Sequence, residues 1–593
     1  MRGTWIHRLM TLIVVAALSA VPAAATAQPA QADKQPTAIG RGGAAATVDL
    51  LATSAAVEAL RDGANAIDAA VVAAAVLGVT EPFSCGIGGG GFMVIRTSEG
   101  KVTTIDHRER APAAMRPDSF FEAGQPLAFN DARYSGLSVG VPGTVRGWEE
   151  ALRRYGTMSL TEALRPAIQV ARDGFVIDQT FAEQTQQNLD YFDDVPSTRA
   201  LYLDPDGTPR DVGTVLRNPD LARTYQRIAH LGAKGFYRGA VADAMVEAVQ
   251  HPPVAADANH TWRPGLMTMR DVKAYVAPER APTRVGYRGL DVYGMGPPSS
   301  GGSTVGEALN ILEGFDLDPA DRTRALHLYL EASRFSFADR NAFLADPDYF
   351  DVPLTGLLSE GFAAERRALI DPQRAATSPV PPGDPWPYNA GGAGTARAAA
   401  TVTRAETTTH LTVSDRAGNV VAYTFTIEST GGNGVVVPGW GFLLNNELTD
   451  FNFDSLTHPN RVEGGKRPRS SMSPTIVLQD GRPLLALGSP GGSMIITTVL
   501  QLLVDRLDLG AALPQAIAAP RASQRNTATT VAEPAFIGSP EGQALAAQYG
   551  HRFSGTAEIG AATGIELLAD GRVLAAAEPV RRGGGSAMVE EPE

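Results

Sequence analysis

The sequence predicts an α+β protein in which stacked β-sheets are covered on the outside by helices. Three observations carry that expectation. Residues 48–79 have helical spacing filled with alanine and broken at Asp62-Gly63, which predicts two helices packed closely through small side chains. Residues 411–415, the turn Arg416-Ala417-Gly418-Asn419 and residues 420–426 read as strand, tight turn, strand. From residue 409 onward the chain is rich in strand sequence, with helices expected near 493–507 and 513–519.

The rest follows in chain order. Arg2, His7 and Arg8 precede an apolar run over 9–21 that is too short to span a bilayer, and Ala25-Thr26-Ala27 supplies a small-residue cleavage site. Residues 1–27 therefore read as a signal peptide. The protein is expected to be exported, periplasmic or secreted, with no stable membrane anchor. Residues 28–42, rich in Gln, Pro and Ala, read as a disordered mature N-terminus. Residues 92–96 and 102–107 form a hairpin around Ser98-Glu99-Gly100, and 145–375 read as mostly helical, including 325–343. Pro379, Pro381, Pro382, Pro385 and Pro387, followed by Gly391-Gly392-Ala393-Gly394, predict a mobile, extended linker over 375–400. It ends just before Thr407-Thr408-Thr409.

Composition narrows the function. A net charge of -13 without a dominant Lys/Arg cluster argues against nucleic acid as a partner. The single cysteine, Cys85, allows no intramolecular disulfide and sits in an apolar, glycine-rich context that predicts a buried, inert thiol. Nine scattered histidines show no metal-ligand spacing, so neither a metal nor an organic cofactor is implied. Two motifs compete for attention. Gly86–Gly91 satisfies G-x-G-x-x-G, but a helix precedes it and a strand follows, the reverse of a dinucleotide site; its glycines are read as allowing close backbone packing. Gly136-Leu137-Ser138-Val139-Gly140 satisfies G-x-S-x-G, but no apolar strand leads into it.

Four segments fit an N-terminal nucleophile better. An N-terminal threonine carries nucleophile and base in one residue, which a chain cutting itself before Thr408 would expose. Gly488-Ser489-Pro490-Gly491-Gly492-Ser493 opens a helix with free N–H groups suited to an oxyanion. The run from Lys466 to Thr475 supplies the hydroxyls of Ser470 and Ser471. Asn445-Asn446-Glu447-Leu448-Thr449-Asp450 places carboxylates where an ammonium could be read, and Arg108 ends a strand and can hold a carboxylate bidentately. An anion anchor and a cation anchor together select a zwitterionic amino-acid head. With the nucleophile, the inference is amidolysis at the side chain of an amino acid.

Glu81-Pro82 with Gly86–Met93, Asp106–Pro112, Thr408-Thr409-His410, Leu444–Phe451, Arg467–Thr475 and Gly488–Ser493 together resemble, in order, the γ-glutamyltranspeptidase (glutathione hydrolase) family. The resemblance implies an N-terminal-nucleophile hydrolase fold, a four-layer αββα sandwich formed by two subunits from one self-cleaved precursor. It implies cleavage between Thr407 and Thr408, giving a large subunit of 28–407 (with 375–407 as its mobile tail) and a small one of 408–593. Thr408 would be the nucleophile, its freed α-amine the general base, and Thr426 would orient its hydroxyl. Gly491 and Gly492 would hold the oxyanion. Arg108, Ser470 and Ser471 would bind the γ-glutamyl α-carboxylate; Glu447 and Asp450, assisted by Glu428, would bind its ammonium. Donors would be glutathione and other γ-glutamyl compounds; acceptors would be water, amino acids or dipeptides. Positions 428 and 447 are Glu where certain relatives carry Asn and Gln, which makes this pocket more acidic. Only 19 residues separate Asp450 from Ser470, so a lid found in some relatives is expected to be missing and the cleft open to bulkier donors. A glutaryl or cephalosporin acylase of the same superfamily, or an unprocessed binding relative, are the alternatives. Glu447 and Asp450 speak against the acylase, because a glutaryl group has no amine.

Overall fold

The computed structural model describes residues 33–389 and 407–593; the expected leader at 1–27 and residues 390–406 of the expected linker lie outside them. The main strands are β1 (Thr37–Thr47), β2 (Gly90–Arg96), β3 (Val102–Asp106), β4 (Glu279–Arg280), β5 (Thr283–Tyr287) and β6 (Leu290–Gly294) before the threonine cluster. After it come β7 (Thr409–Ser414), β8 (Val420–Thr426), β9 (Thr475–Gln479), β10 (Arg482–Gly488), β11 (Thr563–Leu567), β12 (Val573–Ala577) and β13 (Ser586–Pro592). They hydrogen-bond in the order β4-β3-β2-β8-β7-β1-β12-β11-β10-β9-β6-β5, with β13 also on β1.

One ladder becomes two sheets at β1. Thr37–Gly40 pairs with β12, whereas Ala44–Ala46 pairs with β7. Between them the register against β13 shifts, and Gly42 adopts φ 88°, in the left-handed region that only glycine enters without strain. The strand bends there and passes from one sheet into the other. β7 and β8 then lie over β10 and β11, face to face.

Alternation along the strands assigns the layers. Met93, Ile95, Leu411, Val413, Val421 and Tyr423 face a core that includes helices α1 (Leu50–Arg61) and α2 (Ala66–Thr80). Their neighbours Phe92, Val94, Val420 and Ala422 face a core shared with Ile476, Leu485 and Leu487. That second core is closed by α3 (Gly301–Glu313), α4 (Arg322–Phe343) and α5 (Met494–Leu507). The result is helix, sheet, sheet, helix. All of α2 is buried, which its alanines make possible, and Asn65 caps it by accepting from the N–H groups of Ile67 and Asp68, worth ~1 kcal/mol.

Three expectations need correction. The N-terminal segment read as disordered to residue 42 is already strand from Thr37, because its small residues let β13 and β7 approach closely: a side chain at Gly40 would meet the Glu591 carbonyl at 2.0 Å. The helical middle also contains the hairpin β5–β6 at a sheet edge. The described part of the Pro-rich segment is packed: Ala375 N–H donates to the Tyr549 carbonyl, Gly383 N–H to Asp339, and Trp386 is buried.

His410 shows how tightly the sheets meet beneath the threonine cluster. Its ring is pinned between Thr424 and Thr412 at 2.8 and 3.1 Å, and a Cβ at Gly488 would stand 2.3 Å from it. Gly488→Ala is therefore expected to destabilise the fold by about 1–3 kcal/mol. An unchanged thermal midpoint would show that the ring has room to move.

Candidate active site

Strand register builds the site. Thr409 pairs with Phe425, so the next step places Thr408 opposite Thr426. Thr426 pairs with Gly90, and the β2–β3 register carries Gly90 to the level of Arg108. Nucleophile candidate, hydroxyl, glycine and guanidinium thus form one row across four strands. Any side chain at Gly90 would break the row, since its Cβ would lie 2.5 Å from both the His107 carbonyl and Glu109 Oε2. The expected packing role of the glycine run is met here: Gly89 lies against the Thr426 carbonyl and Gly88 against that of Leu443.

Thr408 is buried, with its Oγ1 donating to the carbonyl oxygen of Thr407. Thr426 Oγ1 accepts the Glu428 N–H at 2.8 Å and donates its own proton to the same Thr407 oxygen at 2.8 Å. Thr407 is fixed by its N–H to the Glu428 carbonyl and its hydroxyl to the Phe83 carbonyl. The peptide bond between Thr407 and Thr408 is therefore held with two hydroxyls on its carbonyl oxygen. Glu428, at φ 79°, turns the chain after Thr426, and its carboxylate accepts from Ser429 and Asn446.

A space of about 20 Å³ beside this peptide, enough for one water, is lined by Arg108, Thr407, Thr408, Thr426, Glu428, Glu447, Asp450, Ser470, Ser471, Met472, Gly492 and Ile495. Every expected site residue except Gly491 lines it, and Gly491 is the neighbour of Gly492. Gly491 (φ 124°) and Gly492 (φ 57°) precede α5, and neither N–H donates to a partner among the described residues. Two adjacent free donors at a helix start suit an oxyanion.

The two anchors meet each other. Arg108, 1% exposed, gives one terminal nitrogen to Glu447 and the other to Asp450, while its Nε donates to the Pro468 carbonyl at 3.2 Å. The buried Arg108 cation is thus paired, as its burial requires, and the two carboxylates leave the cluster with an excess of negative charge. Glu447 Oε2 has no partner among the described residues, leaving a buried acceptor open to an ammonium. Next to Arg108, Glu109 is fully buried; neither oxygen accepts a hydrogen bond among the described residues and its one ion-pair contact is with Arg108 at 4.0 Å, and burial pushes its carboxyl up to about 8 against the pull of Arg108. A raised carboxyl contributes stability in full below its unfolded value near 4.5 and loses it as pH rises to 8, by about 1.4 kcal/mol per pH unit. Glu109→Gln should therefore raise the thermal midpoint at pH 8 and leave it unchanged at pH 4. Parallel melting curves across that range would overturn this assignment.

Sequence reasoning missed the residues that hold the site from behind. Arg340, on α4, donates to Ser300 Oγ at 2.8 Å and Ser471 Oγ at 2.7 Å. Ser300 in turn gives both its N–H and its hydroxyl to the Ser470 carbonyl. Arg582 donates to the Thr408 carbonyl at 2.7 Å and to Ser84 at 2.6 Å. No local motif marks either arginine; only the contacts reveal them. Residues 451–469 fold down onto the body, with Phe451, Phe453 and Val462 buried against Ala111, Met115 and Phe120. The other candidates resolve as structural. Cys85 is buried and its thiol pushed well up by burial, and Ser138 gives its hydroxyl to backbone carbonyls.

Residues 52–588 match the profile of the family described as Gamma-glutamyltranspeptidase. The chain is 40% identical over 491 residues to the glutathione hydrolase proenzyme of Bacillus subtilis (strain 168), covering 82% of this chain and 81% of that one. It is 36% identical over 552 residues to the glutathione hydrolase proenzyme of Escherichia coli (strain K12), covering 91% and 90%. Its fold is similar to the crystal structure of a cephalosporin acylase from Bacillus halodurans, with a TM-score of 0.81 at 27% identity, covering 96% of this chain and 99% of that one.

Proposed function

The chain belongs to the γ-glutamyltranspeptidase family, an enzyme family of the N-terminal-nucleophile class, and we propose that it cuts itself before Thr408 and then transfers γ-glutamyl groups through that residue. The observation that carries this reading is the Thr407 carbonyl held by the Thr408 and Thr426 hydroxyls. In the self-cleavage step Thr408 Oγ attacks the Thr407 carbonyl carbon. Negative charge collects on the oxygen facing Thr426, the C–N bond breaks as the Thr408 nitrogen takes up the proton given up by its own hydroxyl, and an ester joins Thr407 to Thr408 Oγ. Water hydrolyses the ester, leaving a carboxylate on 407 and an amine on 408. The products are a large subunit ending at 407 and a small one of 408–593, which stay joined because β1 is hydrogen-bonded to β7, β12 and β13.

In turnover the new α-amine, with a pKa near ~7.7–8.0, takes the Thr408 proton as Oγ attacks the γ-carbonyl of the donor. The N–H groups of Gly491 and Gly492 receive the oxyanion. The leaving amine takes the proton, and a γ-glutamyl ester remains on Thr408 until water or an acceptor amine releases it. The donor's ammonium exchanges with the guanidinium at Glu447 and Asp450, while Arg108, Ser470 and Ser471 turn to its carboxylate. Glutathione and related γ-glutamyl compounds are the donors this pocket suits. An exported location rests on the leader sequence at residues 1–27.

N-terminal sequencing of the smaller fragment tests the cut; any start other than Thr408-Thr409-His410 defeats it. Whole-chain likeness to a cephalosporin acylase makes glutaryl amides the competing substrates. A γ-glutamyl anilide is expected to be cleaved at least tenfold faster than the glutaryl anilide, since only it has an ammonium for Glu447 and Asp450. The reverse order would favour the acylase.

A further inference from the structure

Away from the active site, a cavity of about 530 Å³ opens between the segment 374–378 and residues 524–552 of the C-terminal region. Its charge is unusual for this molecule. The protein has a net charge of -13, yet the lining contains Arg334, Arg374, Arg552 and His551 and no carboxylate. Arg334 is buried and balanced by Glu331, which it meets at 3.0 Å, and it also donates to Ser378 at the cavity wall. Arg374 and Arg552 are exposed, and neither has an ion-pair partner among the described residues. Two uncompensated guanidiniums converge on one concave polar space.

The buried wall behind them is neutral. His327 Nε2 lies 2.8 Å from the Asp371 carbonyl, so that nitrogen carries the proton. His327 Nδ1 then accepts from His551 Nε2 at 2.9 Å, which leaves His551 Nδ1 a bare lone pair. That nitrogen is buried with no partner among the described residues, on a side chain only 4% exposed that lines the cavity. A metal on His327, Glu331 and His551 is disfavoured, because both Glu331 oxygens are committed to Arg334 and the Ala376 N–H, and the two imidazoles bond to each other.

We propose that this cavity binds a small polyanion of the phosphate or polycarboxylate kind. Arg374 and Arg552 supply the charge, and Thr377, Ser378 and Thr530 supply hydroxyls. The volume is that of an ordinary small-molecule site. Inorganic phosphate and citrate, each titrated calorimetrically into the whole protein at low ionic strength, are the probes. Saturable binding of one or both at millimolar concentration or below is expected, weakened at least tenfold in Arg374→Ala/Arg552→Ala, with γ-glutamyl anilide hydrolysis unchanged. Tighter phosphate assigns phosphorylated ligands; tighter citrate assigns carboxylates. Should the double variant fold poorly, Arg552→Gln alone is expected to weaken binding at least threefold. No saturable binding of either probe, or binding that the folded variants leave intact, overturns the proposal.

Discussion

Thr408→Ala is expected to yield one polypeptide where the parent yields two, with no detectable γ-glutamyl hydrolysis or transfer. Both outcomes come from one missing oxygen. In the proposed cut the attacking atom is the hydroxyl now lying on the Thr407 carbonyl, and no other side chain of the row can replace it: Thr426 already uses its proton on that carbonyl and accepts from the Glu428 N–H. Without the cut there is no free α-amine, so base and nucleophile are lost together. Folding should survive, because the change removes only an oxygen and a methyl beside a space of about 20 Å³. Denaturing gels and thermal melting separate the cases. A cut chain in this variant would mean that another group attacks, and an uncut parent would end the mechanism. Thr426→Val should slow the cut without abolishing it, by about 10–100-fold if one charge-assisted hydrogen bond is lost from the oxyanion.

The residues of the candidate site were more legible in the sequence than the strand connections, for a physical reason. Local patterns registered strongly where they were regular. The two helices broken at Asp62-Gly63 appear as Leu50–Arg61 and Ala66–Thr80, and the hairpin around Gly418 appears as Thr409–Ser414 and Val420–Thr426. The strand that joins the sheets, Thr37–Thr47, did not register, because Gly40, Gly42 and Gly43 look like loop until partner strands from after the threonine cluster are seen against them. Site residues were legible because each had to be a particular chemical type. Their support was not: a buried arginine beneath a serine has no spacing rule, and the meeting of Arg108 with Glu447 and Asp450 depends on folding that brings residues over 300 positions apart into contact.

Arg340 is the place where that hidden support should show itself in kinetics. Its guanidinium donates to Ser471 Oγ, so the serine hydroxyl, already an acceptor, is left with its proton to give to a substrate carboxylate. Through Ser300 it also fixes the Ser470 backbone. It lines neither the Thr407–Thr408 peptide nor the oxyanion glycines. It is a positioning residue, acting through the serines. Arg340→Met keeps much of the side-chain length and removes the donors, and losing one charged hydrogen bond costs about 1.5–3 kcal/mol. The expected result is KM for the γ-glutamyl donor raised about 10–100-fold, with kcat and the extent of self-cleavage within about threefold of the parent. Arg340→Lys should recover part of the loss, since an ammonium can reach one hydroxyl but not both at the guanidinium's fixed angle. If instead kcat falls while KM holds, Arg340 acts on the nucleophile row. If both variants melt early and stay uncut, its work is to hold α4 against the sheet, and the serines are positioned by backbone alone.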